Sequence, residues 1–186
     1  MVGNLLPDFT KQITPLHYNP EIMTGVALHR FIDSYTDAHP IVKISKRRIS
    51  DKRRRFSGIM IDIFYDHFLA IHWQQHNIQS LRESTRFYYQ QLSQANVVLP
   101  QRLEVSISRM PEIDLLYNYR TLNGIEHAIN RVSQRIRFKN ELEGGMEELQ
   151  KEFTALENDF VLFFNDLKQA VNDYKSPSLD SLSHTS

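Results

Sequence analysis

The chain has 186 residues, with 22 Lys and Arg balanced by 22 Asp and Glu, and it contains no cysteine. That length builds one domain around a proper core and is short for two. The missing cysteine excludes disulfides and thiolate ligands, so any metal must be held by His, Asp or Glu. No apolar stretch approaches the roughly 20 residues of a membrane span, and the start Met-Val-Gly-Asn lacks the basic and apolar regions of a signal peptide. The cytoplasm is therefore the default expectation.

In chain order, Asn19-Pro20-Glu21 is a helix start: Asn caps free amides, Pro suits the first turn, and Glu favours the positive end of the helix dipole. The pattern predicts a helix over about residues 20–36, broken at Pro40, which disfavours helical geometry at His39. Residues 43–55 then hold eight Lys and Arg against Asp51 alone, in a short helix or helix-loop. Asp51 is placed to cap the next helix, whose Phe56, Ile59, Met60, Ile63, Phe64, Phe68 and Ile71 repeat at helical spacing. Ile61 and Leu69 make that helix apolar on several faces, as a central helix is, and Trp73 is placed to close the core at its end or, alternatively, to line a substrate groove. Leu81, Tyr88 and Leu92 restart a helical pattern, and residues 96–100 form a loop. Shorter helices follow near 103–110, 113–122 and 125–138, punctuated by Pro111 and Gly124. After Gly144-Gly145, the series Met146, Leu149, Phe153, Leu156, Phe160, Phe164 predicts a long amphipathic helix. Its acidic block, Glu141 to Asp159, is read as solvating the outer face. Val97-Val98-Leu99 is the only short extended candidate. The chain reads as one all-α domain over 1–175, with a disordered Ser- and Pro-rich tail at 176–186.

Chemistry concentrates in the first third. His29, Asp33 and Asp37 are spaced by four, so one helix presents all three along nearly one face. Asp62 and Asp66 repeat the spacing on the central helix, with His67 adjacent but rotated by about 100°. Two such helices side by side converge imidazole and carboxylates on one point, a donor set suited to Mn²⁺, Mg²⁺, Fe²⁺ or Zn²⁺. The alternative is an ion-pair network in which Arg30 and the basic run neutralise the aspartates structurally. Asp8, near the start, is a further carboxylate. The basic run itself reads as a solvated face, an acidic partner's docking site or, least favoured given the balanced charge, a nucleic-acid contact.

Three blocks carry a resemblance: Gly3-Asn4-Leu5-Leu6-x-Asp8-Phe9, Gly25-x-x-x-His29-Arg30-x-Ile32-Asp33-x-x-x-Asp37 and Asp62-x-x-x-Asp66-His67-Phe68-Leu69-x-x-x-Trp73. Together with the weaker Asn130-Arg131-Val132-Ser133-x-Arg135 and Leu156-Glu157-x-x-Phe160, they resemble the bacterial acyl carrier protein phosphodiesterase family. The resemblance implies an all-α fold related to the HD-domain phosphohydrolases, distorted from their usual ligand pattern. It implies hydrolysis of the phosphodiester joining 4′-phosphopantetheine to a serine of acyl carrier protein, with a divalent metal, typically Mn²⁺. By matching positions it makes Asp8, His29, Asp33, Asp66 and His67 the metal and water-activating set. Arg30 would stabilise phosphoryl charge, and Asp37 and Asp62 would orient neighbours or accept a proton.

Because the carrier is a small acidic helical domain, Arg47, Arg48, Arg53, Arg54 and Arg55 would steer and hold it. Family members carry an apolar, histidine-containing segment ahead of the Gly-Asn-Leu-Leu block, whereas this chain starts two residues before it. Either the start is assigned too far downstream or the protein is shortened; in the second case a helix and a ligand would be missing from the centre, and Pro7 would restrict Leu6 and shift the Asp8 carboxylate. Other readings keep the site but change the substrate to a nucleotide or other phosphoester, or keep only carrier docking without catalysis.

Overall fold

The computed structural model describes residues 1–175 except 12 and 15; the expected tail lies outside the described residues. Every regular element among them is helical. Two 3₁₀ turns, Val2–Asn4 and Leu6–Asp8, precede helices α1 (Pro20–Ala38), α2 (Pro40–Arg48) and α3 (Ser57–Ile71). There follow α4 (Trp73–His76), α5 (Leu81–Ser93), α6 (Gln101–Ile113), α7 (Leu115–Asn118), α8 (Leu122–Arg135) and α9 (Met146–Lys175). None of these helices is long and apolar enough to cross a membrane.

Local chemistry explains most boundaries. The Asn19 side chain accepts a hydrogen bond from the Ile22 amide at 2.9 Å, and Pro20 fills the first turn of α1. Pro40 starts α2 as well as ending the run before it, because a missing amide costs nothing at a helix start. Ser80 and Glu83 cap α5 reciprocally, a capping box that the pattern Ser-x-x-Glu displays in the sequence. Three boundary expectations fail, one of them at Gly124, which stands inside α8 rather than between helices. Asp51 does not cap α3; its carboxylate takes the Arg54 guanidinium at 2.8 Å, and a 3₁₀ turn leads into the helix. Pro111 does not end α6, which runs on to Ile113 and stops where Asp114 turns left-handed at φ 44°. A proline removes only one bond of the ladder, and near a helix end little follows from it. Val97-Val98-Leu99 forms no strand.

Helix α3 is central, as its composition predicts. It packs against α2, α8 and α9, and Met60, Ile61, Phe64 and Phe68 are fully buried in a core shared with Leu149, Leu156, Phe160 and Phe163. Each such aromatic or aliphatic side chain contributes about 2–3 kcal/mol relative to exposure. The open strip of α3 carries Ile59, Asp62 and Asp66, one and two turns apart. Trp73 is only half-buried and opens α4, its indole N–H donating to the Gln79 carbonyl at 3.0 Å, so it pins a turn rather than closing the core.

A second, smaller core joins the N-terminal turns to the first half of α1 and to the α5–α6 pair through Val2, Leu6, Val26, Leu92, Leu103 and Ile107. Here Gly3 crosses Gly25 with no room for a side chain on either. A Cβ on Gly3 would overlap the Ile22 carbonyl, and one on Gly25 would come within 3.1 Å of the Gly3 Cα. Gly3→Ala should therefore lift the N-terminal turns from α1. We expect a loss of about 1–3 kcal/mol, typical of an overpacked contact, visible as a Tm lower by several degrees.

Helix α9 bends at Glu152, where φ is −108° and ψ 15°. The two parts neutralise the basic run at separate points. Before the bend, buried Glu148 pairs with buried Arg53 at 3.0 Å and accepts from the Ser50 amide and hydroxyl. Arg53 also donates to the carbonyls of Glu141 and Glu143, and a left-handed Gly144 at φ 74° shapes the turn that presents them. Beyond the bend, buried Asp159 takes Arg48 through both carboxylate oxygens, at 2.8 and 3.2 Å, and accepts from Ser45. The acidic block therefore does not simply solvate an outer face; two of its carboxylates are interior counterions.

Candidate active site

The Gly3–Gly25 crossing seats the second 3₁₀ turn on α1, and that placement brings Asp8 to His29. His29 Nε2 lies 3.7 Å from Asp8 Oδ1 and 2.9 Å from Asp33 Oδ2. The imidazole is mostly enclosed, at 14% exposure, while both carboxylates reach solvent. The one-turn spacing of His29 and Asp33 thus works as the sequence indicates, and Asp8 joins from 21 positions away.

From this group a row of ionisable side chains continues across α1 and α3. Asp62 feels Asp33 and Asp37, and Asp66 feels Asp62. Burial raises the Asp62 carboxyl above its ordinary value; Lys46 opposes this and the two neighbouring aspartates add to it. Burial and then Asp62 push Asp66 up to about 7. Asp66 is open to solvent on the exposed strip of α3. Burial likewise raises Asp8, with His29 opposing and Asp33 adding. Lys46 Nζ holds Asp37 at 3.1 Å. It is the cation of the row, and nothing in the spacing of the basic run sets it apart from its neighbours.

The row ends at Tyr119, whose phenol is pushed up to about 12 by burial and then by Asp66, with Arg131 easing it. A tyrosine so shifted keeps its proton at neutral pH and is a standing hydrogen-bond donor.

Two expected members are not paired with the Asp8–His29–Asp33 group. His67 is buried, about 100° around α3 from Asp66 on the open strip. Its Nδ1 lies 2.7 Å from the Tyr119 carbonyl, its ring packs on Phe68 and Phe153, and the charged groups it feels are Glu157 and His72. The Nδ1–H donates to that carbonyl, and burial lowers the pKa, with that hydrogen bond and Glu157 opposing. Arg30 is exposed on α1 and makes no ion pair among the described residues. Among the described residues, no three His, Asp or Glu side chains are arranged to hold one ion.

The five arginines expected to meet a partner separate in the same way. Arg53 is interior and Arg48 is held by Asp159, so both are structural. Arg54 is paired with Asp51, and the Arg55 guanidinium sits 4.9 Å above the Phe138 ring. Arg47 is exposed at the end of α2.

A groove of about 850 Å³ opens beside the row, between α6 and α8. Phe9, next to Asp8, and Tyr119, next to Asp66, stand on its wall. Arg102, Arg109, Arg131 and Arg135 line it. Of these, only Arg131 and Arg135 carried any signal, in the weak Asn130-Arg131-Val132-Ser133-x-Arg135 block.

A sequence model of the acyl carrier protein phosphodiesterase family matches residues 1–167. Proteins named acyl carrier protein phosphodiesterase are similar in Yersinia pestis, at 44% identity over 75 residues, and in Serratia proteamaculans, at 41% over 75. Each of those two alignments covers 40% of this chain and 39% of the relative. The homologue of Enterobacter sp. strain 638 is 29% identical over 154 residues, which is 82% of this chain and 80% of that protein. No solved structure matches the chain significantly.

Proposed function

The chain belongs to the acyl carrier protein phosphodiesterase family, and from that premise we propose that it hydrolyses the phosphodiester linking 4′-phosphopantetheine to a serine of acyl carrier protein. The observation that carries the reading is the meeting of Asp8 with His29 and Asp33, three residues from two of the resembling blocks. In the reaction, water oxygen bonds to phosphorus, the bond from phosphorus to the serine oxygen breaks, and the serine oxygen takes a proton. The products are apo-carrier and free phosphopantetheine. A carrier-protein substrate would set this work in the cytoplasm.

We further propose a divalent cation, Mn²⁺ first, which Asp8, His29 and Asp33 would hold by closing in around it, since they are not arranged about one ion in this structure, with Asp66, beside Asp62 in the row, as a further donor. The donor chemistry fits: carboxylate oxygens and one imidazole suit a hard or borderline ion, and the row carries more negative charge than Lys46 offsets. When bound, such an ion acidifies a water and neutralises phosphoryl charge. Lys46 holds Asp37 and draws on Asp62, so both carboxylates stay oriented along the row. Tyr119 supplies a donor at the far end, where a phosphoryl or leaving oxygen can accept. Arg30, beside His29 on α1, is available for phosphoryl charge.

A second reading, carrier docking without hydrolysis, is favoured by one observation: no three donors stand in a ligating arrangement among the described residues. One experiment separates the two. The chain is incubated with holo-carrier in Mn²⁺ or in chelator, and the carrier's mass is followed. Loss of the phosphopantetheine mass in Mn²⁺ alone is the expected result. An unchanged mass at saturating Mn²⁺, with binding retained, would leave docking alone.

A further inference from the structure

The charge available to a partner lies in a different place from the charge that is conspicuous in the sequence. Within the basic run, Arg48, Arg53 and Arg54 are neutralised by Asp159, Glu148 and Asp51. In the groove between α6 and α8, by contrast, Arg102, Arg109, Arg131 and Arg135 have no ion pair among the described residues, and no carboxylate lines the walls. Unpaired arginines that share one concave surface form a strong attractor for an acidic partner.

The arrangement follows from helix geometry. Arg102 and Arg109 are seven apart, so they share one face of α6, about 10 Å apart along its axis. Arg131 and Arg135 are four apart on the facing side of α8, about 6 Å apart. Between them the walls are apolar, through Val105 and Ile113 from α6 and Ala128 and Val132 from α8. Val105 and Ile113 are 46% and 36% exposed, so the groove offers apolar surface between its arginines.

We propose that this groove, rather than the run at 47–55, seats the acidic carrier by taking one of its amphipathic helices between α6 and α8. The inference rests on the carrier reading above. The helix's apolar side lies on Val105, Ile113 and Val132, and its carboxylates, one and two turns apart, meet the four arginines. This is helix-in-groove recognition with charge complementarity along both rims. The position suits the reaction, because Phe9 and Tyr119 on the groove wall adjoin Asp8 and Asp66. A carrier seated there holds its arm beside the acidic row. The motif Asn130-Arg131-Val132-Ser133-x-Arg135 thereby gains a role: it is one wall of the docking site.

The test uses the full chain, its Arg109→Gln/Arg131→Gln variant and an Arg47→Gln/Arg55→Gln variant, each checked for an unchanged melting curve. Affinity for apo-carrier, which lacks the arm, is measured by titration calorimetry at low and high salt. Turnover of holo-carrier is measured alongside. The groove variant is expected to weaken apo-carrier binding and raise KM by about tenfold or more, with the loss falling on KM rather than kcat and with a reduced salt dependence. The run variant is expected to change both by less. Equal binding by the groove variant and the parent, or a larger loss from the run variant, would overturn the proposal. So would a loss confined to kcat. Groove-dependent binding without hydrolysis would uphold the docking site and remove the reaction. Hydrolysis indifferent to the groove variant would do the reverse.

Discussion

Asp33→Asn is expected to lower kcat/KM on holo-carrier by about a hundredfold or more while leaving Tm unchanged or slightly raised. The carboxylate is 63% exposed and 2.9 Å from His29, so its removal opens no cavity and breaks no core contact. What it removes is one of the oxygens that the proposed cation would use, together with the group that orients the imidazole. Losses of this kind in metal and acid–base sites commonly reach two orders of magnitude or more. Asp8→Asn should behave alike, and the double variant should lose little beyond either single one, because residues that act as a unit are far from additive. Steady-state kinetics with the carrier's mass as readout, beside thermal melts, checks this. A kinetic loss matched by collapse of the melt would assign Asp33 to the fold rather than to the chemistry.

The largest effect on stability is expected at the Arg53–Glu148 pair. Arg53→Met leaves Glu148 buried without its cation, a defect that costs about 3–5 kcal/mol and lowers Tm by about 10 °C in a domain of this size. Arg53→Met combined with Glu148→Leu should recover much of that loss, since two apolar groups carry no desolvation penalty. The same pair shapes the acid limb of stability. Burial raises the Glu148 carboxyl, but the Ser50 hydroxyl and amide and then Arg53 outweigh it, so the net shift is downward from 4.5. The folded state thus binds this proton less tightly than the unfolded chain. Its stabilisation is complete above about pH 4.5 and drains away as pH falls through the lower folded value. Urea unfolding between pH 6 and pH 3 should show the steep acid loss in the parent and a flatter one in Glu148→Gln.

Much of the fold was legible because helical periodicity and caps are local. Asn19-Pro20 marked the start of α1, and the Phe and Leu series marked α9. The all-round apolar character of α3 marked it as central. The site was legible where spacing alone sufficed, as for His29 and Asp33. Adjacency alone does not decide Asp66-His67, because neighbours on a helix differ by about 100°, and here His67 is turned to the Tyr119 carbonyl while Asp66 lies on the open strip. The basic run and the acidic block each looked like a surface, since nothing local reveals that Arg48 belongs to Asp159 and Arg53 to Glu148. The groove was hidden for a related reason. Its arginines are spread over positions 102–135, and only the return of the chain through α7 brings them to one cleft.

That same separation sets an order of events as the protein is made. Arg53 and Arg48 find their carboxylates 95 and 111 residues later in the chain. At about 5–20 residues per second, the ribosome delivers the run roughly 5–20 s before α9 arrives to cover it. For that interval the emerging polypeptide is strongly cationic, and its central helix lacks its largest apolar cover. The balanced charge of the finished protein is thus a property of its last helix. Up to that point the nascent chain should cling to polyanions and depend on chaperones, and release comes with the arrival of Glu148 and Asp159.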